Sequence, residues 1–188
     1  MVMKVDLSRY DNSWYYPGRG VFVRTLWYFV NALFFVPSIW PVSSLKVRLL
    51  RVFGAKIGKG VVIKPRVNIK YPWNLSIGDY TWIGEGVWID NLARVSIGAN
   101  CCLSQDALLL CGNHNYTKPT FDLMVGEITL EDGVWIGARS VVSGNTYCYS
   151  HSVLALQSVS GGKLDAYSVY RGNPAEKVKT RDLAGSID

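Results

Sequence analysis

The chain of 188 residues suits one domain with an attached segment, and its 49% hydrophobic content excludes global disorder. A net charge of +6 suits anionic partners such as a nucleotide phosphate, an acidic carrier protein or a lipid headgroup, although an ordinary solvated surface explains it more simply. No block of five or more basic residues occurs, so no nucleic acid is expected as a partner.

The N-terminal segment, residues 1–56, contains a strongly apolar stretch at 21–42. No charged residue occurs between Arg24 and Lys46, but two prolines interrupt the stretch, so a straight membrane-spanning helix is not expected. A helix packed against its own domain or a neighbouring subunit is favoured. Peripheral contact with the inner face of a membrane is the second option, with aromatic residues such as Trp40 at the interface.

Aliphatic residues recur every six positions from Ile57, a spacing that fits neither a helix nor a single strand. The count restarts at Ile77 and again at Ile97, each 20 residues after the previous start. Three flat sides, each led by one inward aliphatic residue, make a triangular coil, and a period near 20 predicts a solenoid. The sixes resume at Leu130 and continue to Leu154, so about five coils are expected.

An inserted loop, residues 111–127, interrupts this repeat. The distance from Ile97 to Leu130 is 33 residues, which is one coil of 20 plus an insertion of 13. A long loop in a regular solenoid is where function is expected. Its apolar residues, among them Tyr116 and Met124, predict that it covers a neighbouring protomer.

The four cysteines predict neither disulfides nor a metal site. No CxxC pair occurs, and Cys111 with His114 makes a lone CxxH, short of the three or four ligands of a zinc site. We interpret the thiols as reduced, which favours a cytoplasmic protein. Residues 1–20 also lack the apolar core of a secretory signal.

Several stretches resemble the hexapeptide-repeat acyltransferases: IGDYTWIGEGVWI, DGVWIGARSVV and VYRGNPAEKV. DLSRYDNSWYYPGR and GNHNYTKPTFDL are closer still to the colanic-acid-biosynthesis type of sugar O-acetyltransferase. The resemblance implies an all-β solenoid, a left-handed parallel β-helix over residues 57–170, followed by a C-terminal tail, 171–188. It also implies a homotrimer, acetyl-CoA as co-substrate without a metal, a sugar or glycan acceptor in polysaccharide biosynthesis, and a histidine base.

Of the two histidines, His114 at the root of the inserted loop fits the implied base, whereas His151 is typical of an exposed turn. A neutral imidazole can accept the hydroxyl proton as the oxygen attacks the thioester. Asn113 is a candidate donor to the oxyanion. Direct transfer without an acyl-enzyme is predicted, because no serine or cysteine adjoins His114 and Cys111 lies three residues away in a coil position.

Asp90 and Asn91 lie one coil below the start of the loop, where they would orient the base or bind a sugar hydroxyl. A polar corner that closes its own turn explains them equally well. Asp11 and Trp14 are further candidates to reach the acceptor.

Candidates for the donor site lie in the late coils. Trp135 resembles the family's tryptophan along the donor channel. Small residues nearby leave room for a pantetheine arm. Basic residues around GNPAE would contact the nucleotide phosphates, although solvated surface charge explains them about equally well. The candidates are Trp135, Gly137, Ala138, Ser158, Arg171, Gly172 and Lys177, with Lys179 beside them.

Other functions stay open at this point. An acyltransferase with another acyl donor, such as acyl carrier protein, would suit the positive charge, and an amino sugar could be the acceptor. A non-catalytic β-helix scaffold would need neither His114 nor the loop. A γ-class carbonic anhydrase needs three histidines for its metal, and this chain has two.

Overall fold

A computed structural model describes residues 4–183, most of which form a triangular parallel β-helix. Helix α1 covers Val21–Val30 and continues as a π-helical turn, Asn31–Phe35, and α2 covers Ser43–Val52. Short 3-10 helices lie at Leu7–Arg9 and Pro72–Asn74. The strands are β1 Lys56–Ile57, β2 Val62–Ile63, β3 Asn68–Ile69, β4 Leu75–Ile77, β5 Trp82–Ile83, β6 Trp88–Asp90, β7 Val95–Ile97, β8 Cys102–Leu103, β9 Leu108–Leu110, β10 Gly112–His114, β11 Leu123–Val125, β12 Ile128–Leu130, β13 Trp135–Ile136, β14 Val141–Ser143, β15 Thr146–Cys148, β16 Val153–Leu154, β17 Val159–Ser160, β18 Lys163–Leu164, β19 Ser168–Gly172 and β20 Ala175–Thr180.

Three sheets form the sides of the prism. Sheet A has the order β1-β4-β7-β12-β15-β18, sheet B has β2-β5-β8-β13-β16-β19-β20, and sheet C has β17-β14-β9-β6-β3. Within them the strands pair in parallel, apart from the antiparallel pair β19–β20. The inserted loop forms a separate antiparallel hairpin, β10–β11.

The six-residue register predicted from the sequence is confirmed. Ile57 pairs with Ile77, and Ile77 pairs with Ile97, so equivalent leading residues stack from coil to coil. Ile97 pairs directly with Leu130, which shows that the insertion leaves the stacking intact. All of the predicted interior residues are buried: Ile57, Ile63, Ile77, Ile83, Ile97, Leu103, Ile136 and Leu154.

The β-helix has about six coils rather than about five, because the late coils are shorter. The register pairs Ile77 with Ile97, 20 residues apart, Leu130 with Cys148, 18 apart, and Cys148 with Leu164, 16 apart. Because the last coil is shorter than three sixes, a count in steps of six does not detect it. Part of the segment predicted as a C-terminal tail also belongs to sheet B, since β20 pairs with β19.

Glycine after a leading aliphatic residue is required by the close stacking of coils. A Cβ on Gly78 would lie 2.5 Å from the backbone nitrogen of Ala99, and one on Gly137 would lie 2.5 Å from that of Leu156. Backbone atoms of a packed coil cannot move aside cheaply. These glycines therefore leave space for the next coil.

The two N-terminal helices cover the open end of the β-helix. The carbonyl groups of the first coil have no preceding coil to bind, and an uncovered edge of this kind invites aggregation. Each side of this coil receives a side-chain hydrogen bond: Arg51 Nη2 donates to Ile57 O at 2.8 Å, Ser43 Oγ to Val61 O at 3.3 Å and Trp27 Nε1 to Ile69 O at 2.8 Å.

Apolar packing completes this cap. Trp27, Phe35 and Leu50 are buried, and the rings of Trp27 and Phe35 meet edge-on with centroids 5.2 Å apart. Lys46 is also fully buried; its Nζ donates to Lys64 O at 2.9 Å, and burial lowers the pKa of its ammonium group. Within residues 4–183, no helix is both long and apolar enough to cross a bilayer.

Candidate active site

His114 is the last residue of β10, where it pairs with Leu123 and the turn of the inserted hairpin begins. Its Nδ1 lies 2.9 Å from the carbonyl oxygen of Phe121, and its ring stacks on the Phe121 ring with centroids 4.4 Å apart and planes 8° apart. A carbonyl oxygen can only accept, so Nδ1 carries the hydrogen of the neutral imidazole. The lone pair therefore lies on Nε2, which can act as a base.

Phe121, an apolar residue of the inserted loop to which the sequence gives no role at the site, makes both of these contacts with His114. Its φ of +53° is in the left-handed region, where a bulky residue is uncommon. This conformation brings both its carbonyl and its ring to the imidazole. The hairpin end around it is bound by an ion pair of 2.7 Å between Lys118 Nζ and Asp122 Oδ2 and by a hydrogen bond of 2.5 Å from Thr120 Oγ1 to Asp122 Oδ1.

The N-terminal residues lie against this hairpin. The Tyr10 ring is 5.7 Å from the His114 ring, and the Asp6 N–H donates to Pro119 O at 2.9 Å. Of the residues predicted to reach the acceptor, Asp11 is exposed, and the backbone N–H of Ser13 lowers the pKa of its carboxyl group. Trp14 is also exposed, with its ring 5.9 Å from that of Tyr15. Both stay candidates for acceptor contact.

Asn113 is not beside the His114 imidazole of its own chain. Side chains alternate along a strand, so neighbouring residues of β10 point to opposite faces. Asn113 is exposed, and its Oδ1 accepts a hydrogen bond of 2.8 Å from the His114 N–H. A role at the oxyanion stays a prediction.

Cys111 is buried at the root of the same hairpin, and burial raises the pKa of its thiol to about 11. Only a thiolate is an effective nucleophile. Because the thiol stays protonated near neutral pH, the environment of Cys111 disfavours an acyl-enzyme on this residue.

A pocket of about 810 Å³ lies between α1 and sheet C, and we name it the helix pocket. Arg24, Tyr28, Lys70, Trp88 and Asp90 are among its lining residues. Lys70 Nζ lies 2.8 Å from Asp90 Oδ1. The pocket thus combines aromatic walls with hydrogen-bonding and charged groups.

The Asp90 end of the helix pocket adjoins the root of the His114 hairpin. The Cys111 N–H donates to Asp90 O at 3.2 Å, and a Cβ on Gly112 would lie 3.9 Å from Asp90 Oδ2. The structure therefore brings Asp90 close to the start of β10, as the coil arithmetic predicts.

The structure supports the second of the two explanations offered for Asn91, a polar corner that closes its own turn. Its side chain is fully buried, its Oδ1 accepts from the Tyr71 N–H at 2.9 Å, and its Nδ2 donates to Tyr71 O at 2.6 Å. Both amide atoms bind the corner of the preceding coil, so Asn91 closes a turn and does not face a ligand.

A second concavity, of about 680 Å³, lies at the corner between sheets B and C, and we name it the corner groove. Trp135, Gly137 and Ala138, all predicted for the donor site, line it together with Lys179 and Arg181. The half-exposed Trp135 ring is held by a hydrogen bond of 2.9 Å from Nε1 to Ser104 Oγ. Arg181 Nη1 donates to Gly133 O at 2.9 Å and to His151 O at 3.0 Å, which attaches the side chain to the corner between sheets A and B.

The other predicted donor residues do not line the corner groove. Ser158 is buried and its Oγ accepts from the Gly172 N–H at 3.0 Å, so this pair supports the β19–β20 hairpin. Lys177 Nζ pairs with Asp165 Oδ2 at 3.1 Å, and Arg171 is exposed near the turn of the hairpin. Lys177 and Lys179 are only two residues apart, but a bulge in the β19–β20 pairing sets Lys179 opposite Val169 and Lys177 opposite Tyr170, so the two lysines face opposite sides.

The hairpin and the corner groove lie at different corners of the prism. His114 follows β9 of sheet C and precedes β12 of sheet A, whereas Gly137 and Ala138 connect β13 of sheet B to β14 of sheet C. The whole width of sheet C separates the two corners. Within residues 4–183, no three His, Cys, Asp or Glu side chains are grouped to hold a metal ion.

No family model matches the chain. The chain is 34% identical over 176 residues to a protein of Escherichia coli K12 assigned to colanic acid biosynthesis as the acetyltransferase WcaF, with 94% of this chain and 97% of the relative covered. This chain belongs to the hexapeptide-repeat acetyltransferase family. A relative in Shigella flexneri matches to the same extent.

Solved structures of the family share the fold. The hexapeptide-repeat acetyltransferase VCA0836 of Vibrio cholerae superimposes with a TM-score of 0.77 at 20% identity, covering 86% of this chain and 92% of that one. The same protein in complex with acetyl-CoA also gives 0.77 at 19% identity, over 86% and 88%. A maltose O-acetyltransferase of Clostridium difficile gives 0.74 at 17% identity, over 87% and 88%.

Proposed function

We propose that this acetyltransferase moves an acetyl group from acetyl-CoA to a hydroxyl of a sugar or glycan precursor, with His114 as general base. The observation that carries the proposal is the hydrogen bond between His114 Nδ1 and Phe121 O, which leaves Nε2 free to accept a proton. The colanic acid relative and the maltose O-acetyltransferase support a sugar acceptor, and the complex of VCA0836 with acetyl-CoA supports the donor.

The step proceeds without a covalent enzyme intermediate. As the acceptor oxygen forms its bond to the acetyl carbonyl carbon, its proton passes to His114 Nε2. The tetrahedral intermediate then collapses, the carbon–sulfur bond breaks, and the proton on Nε2 passes to the leaving thiolate. Phe121 O stabilises the imidazolium between these transfers, because it accepts from Nδ1 throughout.

The corner groove is the proposed donor site. Gly137 and Ala138 present little side-chain bulk there, which suits the narrow pantetheine arm. Trp135 supplies an aromatic wall, and Lys179 and Arg181 supply positive charge for the nucleotide phosphates.

The helix pocket is the proposed acceptor site. Sugars are bound by aromatic faces combined with hydrogen-bonding groups, and Tyr28, Trp88, Lys70 and Asp90 provide both. The Asp90 end adjoins the hairpin that carries His114, so an acceptor bound there extends towards the base.

A homotrimer joins the two corners. Because sheet C separates His114 from the corner groove within one chain, a neighbouring copy has to bring its own corner to complete the site. Cyclic symmetry makes this possible with one heterologous contact repeated three times. The half-exposed Met124 and the exposed Tyr116 of the hairpin would be covered at that contact.

The decisive experiment incubates the protein with acetyl-CoA and a panel of sugars, nucleotide sugars and amino sugars. Acceptor-dependent release of the CoA thiol and a product heavier by one acetyl group are expected. Alkali removes an acetyl ester and leaves an amide, so the same assay separates hydroxyl from amino acceptors. Thiol release that never depends on an acceptor would contradict the proposal.

A further inference from the structure

The outer face of α1 and its π-helical turn is apolar although it faces solvent. Phe22, Leu26, Phe29, Leu33 and Val36, here called the apolar stripe, are 81%, 47%, 56%, 59% and 45% exposed. They recur every three or four residues and therefore lie on one side of the helix. Since the opposite side of the same helix already packs on the first coil through Trp27 and Phe35, core formation does not account for the stripe.

The apolar surface continues beyond the helix. The connector to α2 exposes Ile39, Trp40 and Val42, and no charged residue occurs between Arg24 and Lys46. Continuous exposed apolar surface of this kind marks a binding site rather than ordinary surface composition.

The part of the sequence that contains the stripe carries charge of one sign. Residues 12–78 contain ten basic residues and no acidic one, whereas the rest of the chain has ten basic and fourteen acidic residues. Within residues 4–183, three of those ten basic side chains form ion pairs, namely Lys59, Arg66 and Lys70. Arg48 on the exposed face of α2 and Lys64 are exposed cations that make no ion pair in the described part of the chain.

We propose that the apolar stripe and the surrounding basic residues bind the surface of an anionic lipid bilayer, with α1 lying in the interface. An apolar helix face inserts among acyl chains while neighbouring cations contact acidic headgroups, and both requirements are met here. A second copy of the same face is disfavoured as the occupant, because an isologous contact would place two surfaces from the basic part of the chain against each other.

The position of the stripe at the end of the prism suits this role. The helices cover the first coil, as the hydrogen bonds to Ile57, Val61 and Ile69 show. In a cyclic trimer, the one part of this argument that rests on the proposed function, the three capped ends face the same way. Three stripes would then meet one surface together, and avidity would strengthen weak individual contacts.

The test is co-sedimentation of the full chain with vesicles of phosphatidylcholine alone and of phosphatidylcholine mixed with phosphatidylglycerol. Preferential binding to the mixed vesicles, weakened by salt, is expected. The triple variant Phe22→Ser, Leu26→Ser, Leu33→Ser should reduce partitioning by on the order of tenfold or more, because three exposed apolar side chains are lost from the interface. Arg48→Glu should also weaken binding to the mixed vesicles.

The matched control is Val178→Ser with Leu183→Ser, which removes exposed apolar side chains from the other end of the molecule and should leave vesicle binding unchanged. Circular dichroism and thermal unfolding establish that all variants fold. Equal sedimentation of the triple variant and the unaltered protein would overturn the proposal. So would the finding, by light scattering, that the stripe joins copies into larger assemblies that the triple variant dissolves.

Turnover with a soluble acceptor is measured on the same preparations. None of the three substituted stripe residues lines the helix pocket or the corner groove, so turnover should stay unchanged while vesicle binding is lost. If the protein shows no acetyl transfer at all, the vesicle result still decides the lipid proposal by itself.

Discussion

The backbone carbonyl of Phe121 determines which ring nitrogen of His114 carries the hydrogen. The left-handed conformation of Phe121 directs the carbonyl to Nδ1, and this contact selects the tautomer in which Nε2 carries the lone pair that the proposed base role needs. The nearby thiol of Cys111 is buried, and its raised pKa keeps it protonated near neutral pH. At this corner the imidazole can therefore accept a proton, whereas the thiol cannot act as a nucleophile.

Replacing His114 with Ala removes the base and should lower kcat by about 10²–10⁴. The KM for acetyl-CoA should change little, because the residues that line the groove assigned to the donor, and not His114, would hold the donor. Steady-state kinetics with saturating acceptor measures both values. Cys111→Ala is the control and should keep most of the turnover, whereas accumulation of an acetylated Cys111 in the absence of acceptor would refute direct transfer.

The cysteines also test the packing of the interior. Burial raises the pKa of the thiols of Cys101 and Cys111 to about 11 and that of Cys148 to about 12, while Cys102 is half-buried on sheet B. Iodoacetamide at mildly alkaline pH should therefore modify Cys102 well before the other three, as mass spectrometry of the intact protein can follow. Fast modification of all four in the folded protein would show that the interior is not packed as described.

At the level of elements, short coils stack so closely that backbone spacing dictates residue type. Gly78 has no room for a side chain, because its Cβ would meet the backbone of Gly98 and Ala99. Gly20, at the start of α1, has open space around its Cβ and a φ of −64°.

These two glycines make a matched pair for thermal unfolding. Gly78→Ser should destabilise the protein by about 1–3 kcal/mol, the usual cost of overpacking, which corresponds to about 2–4 °C in Tm for each kcal/mol. Gly20→Ser should leave Tm nearly unchanged, since serine is a favourable residue at a helix N-terminus. Equal Tm values for both variants would mean that the coils are less closely stacked than the register indicates.

The hydrogen bonds from Arg51, Ser43 and Trp27 join whole elements of the fold. They attach two helices to three sides of the first coil and thereby close an edge that a solenoid otherwise leaves open. A terminal cap is a general requirement of repeat proteins, and here it also carries the apolar stripe.

For the whole molecule, the separation of His114 from the corner groove implies that two neighbouring chains share each active site, and mixed assemblies of two variants can test this. His114→Ala lacks the base, and Ala138→Trp would fill the groove, so each variant alone should be inactive. Co-refolding the two in equal amounts should restore about one quarter of the activity, because in a randomly mixed cyclic trimer a quarter of the contacts pair an intact base with an intact groove. Light scattering of the unaltered protein should give the mass of a trimer.

If each chain instead contained a complete site, the mixture would be as inactive as its components. Refolding each variant with an excess of the unaltered chain serves as the control for assembly, since it should yield active mixed trimers in both cases.

The sequence alone determined the repeat, the inward residues, the place of the insertion and the candidate base. These features are local: six-residue spacing records which side chains enter the prism, and 20-residue spacing records how coils stack, as the pairing of Ile57, Ile77 and Ile97 confirms. The number of coils could not be predicted in the same way, because the coil after Cys148 is shorter and a fixed period no longer applies there.

The tertiary structure decided which polar residues are available for chemistry. From the sequence, Asn91 and Ser158 are candidates for ligand contact, with a turn-closing role as an equal alternative for Asn91. In the structure, each side chain binds the backbone of a segment 14 to 20 residues away. Phe121, Lys179 and Arg181 gained their positions in the same way, from contacts between segments that no local spacing records. Hydrogen-bond partners are set by proximity in space, so the period of the chain predicts the prism. The corners at which the candidate base and the groove lie are seen only in the folded prism.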